Sequence, residues 1–370
     1  MLYHSLTDRQ LTRSFAQAVV EGLAPDKGLY YPERIPSLPQ ELWLSEEDLN
    51  PWDLGAAMMA PLAEGDLRHE DLVDILKDVL NFPLGLHEVE DNVYALELFH
   101  GPTHAFKDVG ARFLSRVLRR VSDKRLTILV ATSGDTGSAV AQGFLNVPNV
   151  DVVILYPQGR ISKIQEQQLT TAGANIKALE VEGAFDDCQA MVKAAFLDDA
   201  LQAERPLTSA NSINIARWIP QSIYYAWATY LLGQPAQFCV PSGNVGNLAA
   251  GVLAAQMGMP HAGFIAATNA NDGPVPARGV LRSAPLGCDA EQRHGRGGPV
   301  QPSEVGSPVW RRLVRHADRG QRCHPRRCGN HAGHEGRAGP DGLRHVPPHS
   351  RGVCRLDGSP QSKRARRGVG

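Results

Sequence analysis

The pattern of apolar and polar positions between residues 91 and 272 alternates between two periods. Short apolar runs, of which Leu126 to Ala131 is the most continuous, predict strands buried on both faces. Between these runs, apolar residues recur at helical spacing, as they do from Phe106 to Val121. Strands are predicted at 92–99, 126–131, 150–156, 176–180, 237–240 and 263–268, and helices at 106–121, 138–144, 162–172, 185–197 and after 247. The alternation predicts an α/β fold of mostly parallel twisted sheets flanked by helices.

The first 90 residues follow a mainly helical pattern. Thr7 or Asp8 is predicted to cap a helix that carries Phe15 and Val19 on one side, and a second helix is predicted over 67–80. The sequence therefore divides into three regions, which are a helical cap region at 1–90, an α/β core at 91–272 and a tail at 273–370.

The tail differs sharply in composition from the rest of the chain. It contains 18 Arg and one Lys against seven Asp and Glu, whereas the residues before it contain 19 basic and 32 acidic residues. Every Phe, Ile, Met and Tyr lies before Gly273. A segment with so few bulky apolar residues buries too little surface to offset the entropy lost on ordering. We therefore expect a disordered tail and a folded core that ends near Asp272.

The composition also excludes several classes of protein. Only Cys188 and Cys239 precede the tail, which argues against a secreted disulfide framework. No basic flank with an apolar run follows Met1, and no run of 18 apolar residues predicts a membrane span. We expect a cytoplasmic protein without a membrane or a specific nucleic-acid partner. The Cys and His residues of the tail match no zinc-finger spacing, so no metal site is predicted.

A lysine stands where a predicted strand gives way to a helix. The segment from His100 to Asp108 reads HGPTHAFKD, and Lys107 opens the helical pattern. A solvated surface charge is the ordinary interpretation of such a lysine, but this segment is not a charged surface run. The helix dipole and partial burial both disfavour the protonated amine and so lower its pKa. A neutral, fixed amine is what Schiff-base catalysis requires, so Lys107 is the predicted catalytic residue.

Two glycine-bearing turns follow predicted strands. The first offers main-chain N–H groups and hydroxyls to a carboxylate or phosphate, and its residues are Ser133, Gly134, Asp135 and Thr136. The second pairs each of two glycines with an asparagine, and its residues are Gly243, Asn244, Val245, Gly246 and Asn247. Each is also compatible with an ordinary strand-to-helix turn. Because ligands bind at the carboxyl ends of strands in such sheets, both turns are predicted to belong to one site.

Two further segments supply amide or basic side chains. Asn211 and Arg217 lie in a stretch where polar residues are interspersed with Ile and Ala, which predicts either a buried structural network or a second anion site. Arg160 and Lys163 follow the strand predicted at 150–156. They either face a phosphate or form an exposed helix start.

In combination these segments resemble threonine synthase, a pyridoxal-phosphate enzyme of fold type II. The resemblance covers about residues 1–272 and rests on the segments at 22–30, 100–108, 131–138, 211–217, 242–247 and 266–272. It implies a cofactor-binding core at 91–272 made of two interleaved α/β subdomains. The implied reaction converts O-phospho-L-homoserine and water to L-threonine and phosphate, with pyridoxal 5'-phosphate as electron sink.

The resemblance also implies a role for each candidate residue. Lys107 would bond covalently to the cofactor and later move protons as acid and base. The cofactor phosphate would be held by the turn at 243–247, and the amino-acid carboxylate by the turn at 133–136. The substrate phosphate would be held by Asn211 and Arg217, with Arg160 or Lys163 as further candidates. Whether the protein is a monomer or a dimer is left open.

The resemblance stops near Asp272. The family continues with Ala-Thr-Leu-Ser-Asn-Ala-Met-Asp-Val-Gly, a further domain and a segment that contacts the pyridine nitrogen. Codons for Cys288 to Gly298, read one base later, permit that ten-residue sequence in full. Our hypothesis is that residues from about Gly273 are an out-of-frame translation, so that cofactor binding is weak and activity is low or absent. A sequence of the coding DNA that is continuous in the present frame, with no missing or extra base near codon 273, would contradict the out-of-frame hypothesis.

Two other functions are compatible with the sequence. Another fold type II enzyme, such as a dehydratase or sulfhydrylase acting on serine or threonine, would share the lysine and the glycine turns. A non-catalytic protein whose basic tail contacts nucleic acid would need neither. Phosphate release from O-phospho-L-homoserine tests the first alternative. Salt-sensitive RNA binding that disappears on deletion of 273–370 would support the second.

Overall fold

The structure, a computed structural model, describes residues 1–43 and 48–267 and the backbone of 351–355. The strands β1 to β12 are Leu2–Ser5, Thr12–Ser14, Tyr30–Pro32, Gly85–Glu90, Val93–Glu97, Leu126–Ala131, Val150–Pro157, Ile176–Val181, Leu207–Ser209, Ala236–Pro241, His261–Ala267 and Arg351–Arg355. The helices α1 to α12 are Phe15–Glu21, Gln40–Trp43, Pro51–Met59, His69–Val79, Lys107–Val121, Asp135–Phe144, Lys163–Thr170, Phe185–Phe196, Asp199–Glu204, Ile215–Trp218, Ser222–Leu232 and Gly246–Gln256, with a 3-10 turn at Ile219–Gln221.

The strands form three sheets. A four-stranded sheet has the order β8-β7-β6-β9 with every pair parallel, as the continuous apolar run of β6 predicted. A five-stranded sheet has the order β11-β10-β12-β5-β4, in which only β10 and β11 pair in parallel. A small antiparallel sheet, β2-β1-β3, lies near the N-terminus. The α/β fold with parallel strands predicted for the core is confirmed, and three of the four pairings in the five-stranded sheet are antiparallel.

The N-terminal region contains this small sheet as well as helices. The prediction that Thr7 or Asp8 caps the first helix is wrong, because α1 begins only at Phe15 and is capped by Ser14. Ser14 and Gln17 form a reciprocal capping box, which satisfies two main-chain donors at once. The three strands of this sheet, which the sequence pattern missed, are only three or four residues long, too short to show an alternation.

The segment predicted as a tail is largely outside the described residues. Its Arg351–Arg355 stretch forms β12, which pairs antiparallel with β10 on one side and β5 on the other. The end of the strand predicted at 263–268 also falls outside the described residues, since β11 is described to Ala267. In the part of the chain that is described, no helix is long and apolar enough to cross a membrane.

Two helices that carry candidate residues meet at a glycine. Gly110 lies in the first turn of α5 after Lys107, and a Cβ added to it would lie 2.3 Å from the main-chain oxygen of Arg217 in α10. Such a distance excludes any larger residue unless the backbones separate. The close approach brings the start of α5 next to the segment that holds Arg217.

Gly110→Ala is therefore expected to destabilise the fold by about 1–3 kcal/mol, because overpacking outweighs the helix propensity that alanine adds. The measurement is the free energy of unfolding from a denaturant titration. Arg119→Ala, at an exposed position of the same helix, is the control and is expected to change that free energy by less than about 0.5 kcal/mol. Equal stability of Gly110→Ala and the parent chain would contradict the contact.

Candidate active site

Three helices, each of which follows a strand and a connecting segment, define the candidate site. These are α5, which starts at Lys107 after β5, α6, which starts at Asp135 after β6, and α12, which starts at Gly246 after β10. The N-terminus of a helix presents unpaired N–H groups and the positive end of its dipole. The three junctions are therefore suited to negatively charged ligand groups, which the sequence analysis predicted for the two glycine-bearing turns.

Lys107 lies inside this cluster. Its Nζ is 3.9 Å from Asp135 Oδ2, and its side chain is 24% exposed. The ammonium also lies 5.4 Å from the centre of the Phe106 ring. Burial lowers the pKa of Lys107, and the positive charge of Arg217 lowers it further, whereas Asp135 acts in the opposite direction. Desolvation thus favours the neutral, nucleophilic form of the amine.

The peptide group that precedes Lys107 is held by a residue that the sequence analysis did not identify. Tyr224 in α11 donates a hydrogen bond from its hydroxyl to the main-chain oxygen of Phe106. Tyr224 is buried, and burial raises the pKa of its phenol, so it stays a donor at neutral pH. The contact joins residues 118 positions apart in the sequence, which is why no local pattern indicates it.

The turn after β6 is organised by Thr132, another residue absent from the predicted set. Its hydroxyl accepts hydrogen bonds from the N–H groups of Gly134 and Gly137 at 3.1 and 2.8 Å. Gly134 has a φ of 146°, and a Cβ there would lie 2.5 Å from Gln165. Glycine is thus required at this position. The Asp135 carboxylate accepts a 2.6 Å hydrogen bond from Gln165, so an anion in this turn has to bind to N–H groups and to the hydroxyls of the turn.

The turn at 243–247 contains a strained residue. Val245 has a φ of 55°, a left-handed conformation that is a genuine outlier for a β-branched side chain. Such strain persists where the surroundings enforce it, often at ligand sites. Asn244 accepts a hydrogen bond from the N–H of Gly246 at 3.2 Å and donates one to Ser212 Oγ at 2.9 Å. The turn is thereby attached to the segment that contains Asn211.

Asn211 and Arg217 also belong to the cluster. Asn211 Nδ2 donates to the main-chain oxygen of Ala131 at 3.3 Å, at the end of β6. Its Oδ1 is buried without a partner among the described residues, and its amide nitrogen uses one of two N–H groups on Ala131. Arg217 is only 2% exposed, and its guanidinium donates to the main-chain oxygen of Ala210. Burial lowers the pKa of Arg217 to about 10.

The unpaired donor of Arg217 is the strongest indication of a ligand. Its Nε has no hydrogen-bond partner among the described residues, and no ion pair joins its guanidinium to a carboxylate there. A buried charge without a partner is costly, and a bound anion would offset that cost. By contrast, Arg160 and Lys163 lie exposed at the start of α7. Within the described residues, no cluster of His, Cys, Asp and Glu could hold a metal ion.

Two family models match the chain. Residues 2–79 match the model described as threonine synthase N terminus, and residues 79–323 match the model described as pyridoxal-phosphate dependent enzyme. The second match covers more than half of the chain and extends past Asp272 into the tail. The class of protein that the fold and the lysine site define is therefore the pyridoxal-phosphate dependent enzymes.

Similar proteins narrow this class. The crystal structure of threonine synthase from Escherichia coli matches with a TM-score of 0.77 and 37% identity, over 88% of this chain and 77% of that chain. The pyridoxal-phosphate-bound threonine synthase from Brucella melitensis matches with a TM-score of 0.69 and 37% identity, over 73% and 61% of the two chains. Threonine synthase from Haemophilus influenzae is 47% identical over 264 residues, which are 70% of this chain and 62% of the relative. The chain belongs to the threonine synthase family.

The matches also show how much of the family's length is present. The chain spans less than two thirds of the curated relatives, 62% of the Haemophilus influenzae protein and 65% of the Escherichia coli protein. Family membership therefore extends to the fold, and the roles of the candidate site and the activity of the complete relatives are separate questions for this chain.

Proposed function

We propose that the chain is built for the threonine synthase reaction, in which O-phospho-L-homoserine and water give L-threonine and phosphate. The observation that carries the proposal is Lys107, an amine whose pKa is lowered by burial, with a buried guanidinium close enough for its charge to act on it. The reaction requires one nucleophilic amine, one site for a cofactor phosphate and one for a substrate phosphate. The site residues predicted from the sequence supply all three.

The residues present fit pyridoxal 5'-phosphate. Bound, this cofactor supplies an electron sink for the carbon atoms of the amino acid. Lys107 would hold it covalently, and the turn at 243–247 with the first N–H groups of α12 would hold its phosphate. The unpartnered Oδ1 of Asn211 suits a ligand hydroxyl or amine. The turn at 133–136 would receive the amino-acid carboxylate.

Lys107 and Arg217 would supply the two remaining functions, which are proton transfer and binding of the substrate phosphate. Once released from the cofactor, the Lys107 amine would take and return protons, for which its lowered pKa is suited. Arg217 would bind the phosphate of the substrate before it leaves, because a desolvated guanidinium forms strong bidentate hydrogen bonds to phosphate oxygens. A dehydratase or sulfhydrylase acting on an unphosphorylated amino acid has one anionic group fewer to bind, so the additional buried cation favours a phosphorylated substrate.

The experiment that tests the proposal uses the chain and a chimera. In the chimera, residues 273–370 are replaced by the corresponding part of the Escherichia coli threonine synthase. We propose, from the out-of-frame hypothesis, that the chain as written binds the cofactor weakly and turns over slowly, and that the chimera releases phosphate from O-phospho-L-homoserine. Phosphate release by neither protein, with deamination of serine or threonine instead, would favour a dehydratase.

Several expectations from the sequence stay predictions. These are the cytoplasmic location, the lack of a specific nucleic-acid partner, the oligomeric state and the division into regions at 1–90, 91–272 and 273–370. Strands β4 and β5 pair as an antiparallel hairpin across the boundary at residue 90.

A further inference from the structure

Gln221 lies between the turn at 243–247 and the segment that carries Arg217. It is only 3% exposed and is the last residue of the 3-10 turn before α11. Its Nε2 donates to the main-chain oxygen of Arg217 at 2.9 Å, and its Oε1 accepts from Asn247 Nδ2 at 3.0 Å. The amide nitrogen of Gln221 therefore contacts the segment that carries Arg217, the proposed site for the substrate phosphate. The amide oxygen contacts Asn247, in the proposed site for the cofactor phosphate.

Asn247 is held from a second direction by Tyr225. The Tyr225 hydroxyl lies 2.6 Å from Asn247 Oδ1 and 2.9 Å from the main-chain oxygen of Asn247. The side chain of Asn247 is thus occupied by Gln221 and Tyr225. The main-chain N–H of Asn247 is then the group of this residue that could donate a hydrogen bond to a phosphate.

The hydrogen bonds form a directed chain. Tyr225 donates to Asn247, Asn247 donates to Gln221, and Gln221 donates to the main chain of Arg217. This order fixes the orientation of both amides, because exchanging nitrogen and oxygen in either would place two donors or two acceptors together. Buried networks in which every member is satisfied make a structure rigid and unique.

We propose that Gln221 is a positioning residue that holds the first turn of α12 in register with α10. It would thereby fix the distance between the N–H groups that receive the cofactor phosphate and the guanidinium that receives the substrate phosphate. The inference rests on the proposed function, which assigns the two phosphates to these places. The exposed Asn244 attaches the outer part of the turn to Ser212, and the buried amide of Gln221 supplies a second attachment that is shielded from solvent.

The first test replaces Gln221 with methionine, which keeps the length of the side chain and removes both hydrogen bonds. The full-length chain is titrated with pyridoxal 5'-phosphate and with pyridoxal, which lacks the phosphate, and the ratio of the two dissociation constants is measured by absorbance. We define the ratio as the dissociation constant of pyridoxal divided by that of pyridoxal 5'-phosphate, and we expect Gln221→Met to lower it about five- to tenfold, the effect of roughly one lost hydrogen bond. The dissociation constant of pyridoxal should change less than about twofold, since only the phosphate contact depends on the turn. A merely structural role would weaken both ligands equally.

The second test measures the same ratio of dissociation constants in Tyr225→Phe, in Gln221→Met and in the double variant. Both changes release Asn247, so their effects on the ratio should not multiply, and the double variant should resemble the weaker-binding single variant. Multiplicative effects would show that Gln221 does not act through Asn247. If Gln221→Met does not fold, Gln221→Glu takes its place, because it keeps the acceptor for Asn247 but loses the donor to Arg217. It should lower the ratio at least as far, since it brings a negative charge to the phosphate turn.

Amide hydrogen exchange gives a readout that needs no cofactor. In Gln221→Met, peptides covering 242–250 and 211–219 should exchange faster than in the parent, while a peptide covering 126–140 is unchanged. A parent chain that does not prefer pyridoxal 5'-phosphate over pyridoxal would overturn the proposed function, and this inference with it. A parent that has the preference, with the same ratio and the same exchange in Gln221→Met, would overturn the inference alone.

Discussion

Lys107→Ala is expected to abolish covalent attachment of pyridoxal phosphate to the chain. Only a neutral, accessible amine condenses with an aldehyde. Burial of Lys107 favours the neutral form, and 24% of its side chain is still exposed to solvent. After reduction with borohydride, the parent chain should carry the added cofactor mass on the peptide that contains Lys107. The variant should carry none at substoichiometric cofactor. In the chimera, the same change should lower the rate of phosphate release by about a thousandfold or more, because covalent and proton-transfer roles are lost together.

Lys124→Ala is the matched control for this change. Lys124 is exposed in the segment between α5 and β6, so its removal should leave attachment at Lys107 unaltered. Cofactor trapped mainly on a different lysine in the parent chain would contradict the role assigned to Lys107. Equal trapping in the parent and in Lys107→Ala would contradict it as well.

The lowered pKa of Lys107 has a consequence for stability with a definite sign. In the unfolded chain the amine binds a proton at any pH below its ordinary value of 10.5, whereas in the folded chain it does so only below a lower pKa. Between these two values the unfolded state holds more protons, so the free energy of unfolding rises with pH. Lys107→Met removes this effect. Its gain in stability over the parent at low pH should shrink as the pH rises towards 10.5, as measured by denaturant titrations across the pH range.

The part of the site that was predictable from sequence is the part encoded locally. The apolar run of β6 and the glycines after it, the paired Gly-Asn turn and the lysine at a helix start each leave a signature within about ten residues. The strand-to-helix junctions were therefore correctly placed, although α6 begins three residues earlier than predicted, at Asp135. The predicted helix at 185–197 likewise corresponds closely to α8, Phe185–Phe196.

The part that was not predictable depends on distant contacts. Helix α11 is apolar on almost every side, so it shows no periodicity, yet it provides Tyr224 against Phe106. The role proposed for Gln221 depends on its hydrogen bond to Asn247, which lies 26 residues further along the chain. Asn211 was predicted as a phosphate ligand from the polar pattern of its segment and from the family resemblance. The structure uses one of its two amide N–H groups on the main-chain oxygen of Ala131, a contact that no local pattern could have shown.

Arg217→Met is expected to remove most of the affinity for the phosphate of O-phospho-L-homoserine. Three cations were candidates for this contact, and burial separates them, since Arg217 is 2% exposed whereas Arg160 and Lys163 are exposed. Two charges attract more strongly where water is excluded, and an exposed cation is screened by solvent and salt. The loss of a charge-assisted hydrogen bond of about 1.5–3 kcal/mol corresponds to a roughly 10- to 150-fold weaker contact.

The measurement compares O-phospho-L-homoserine with L-homoserine, which lacks the phosphate, on the cofactor-loaded chimera. In the parent, the phosphorylated ligand should bind much more tightly. In Arg217→Met this difference should largely disappear, while Arg160→Met and Lys163→Met should change it less than about threefold. Arg217→Lys keeps the charge but loses the planar pair of donors, so an intermediate result is expected. Because Arg217 also bonds to Ala210, each variant is compared well below its own melting temperature. The assignment would be contradicted if Arg217→Met kept the full preference for the phosphorylated ligand and Arg160→Met lost that preference. The substrate phosphate would then be assigned to the exposed start of α7.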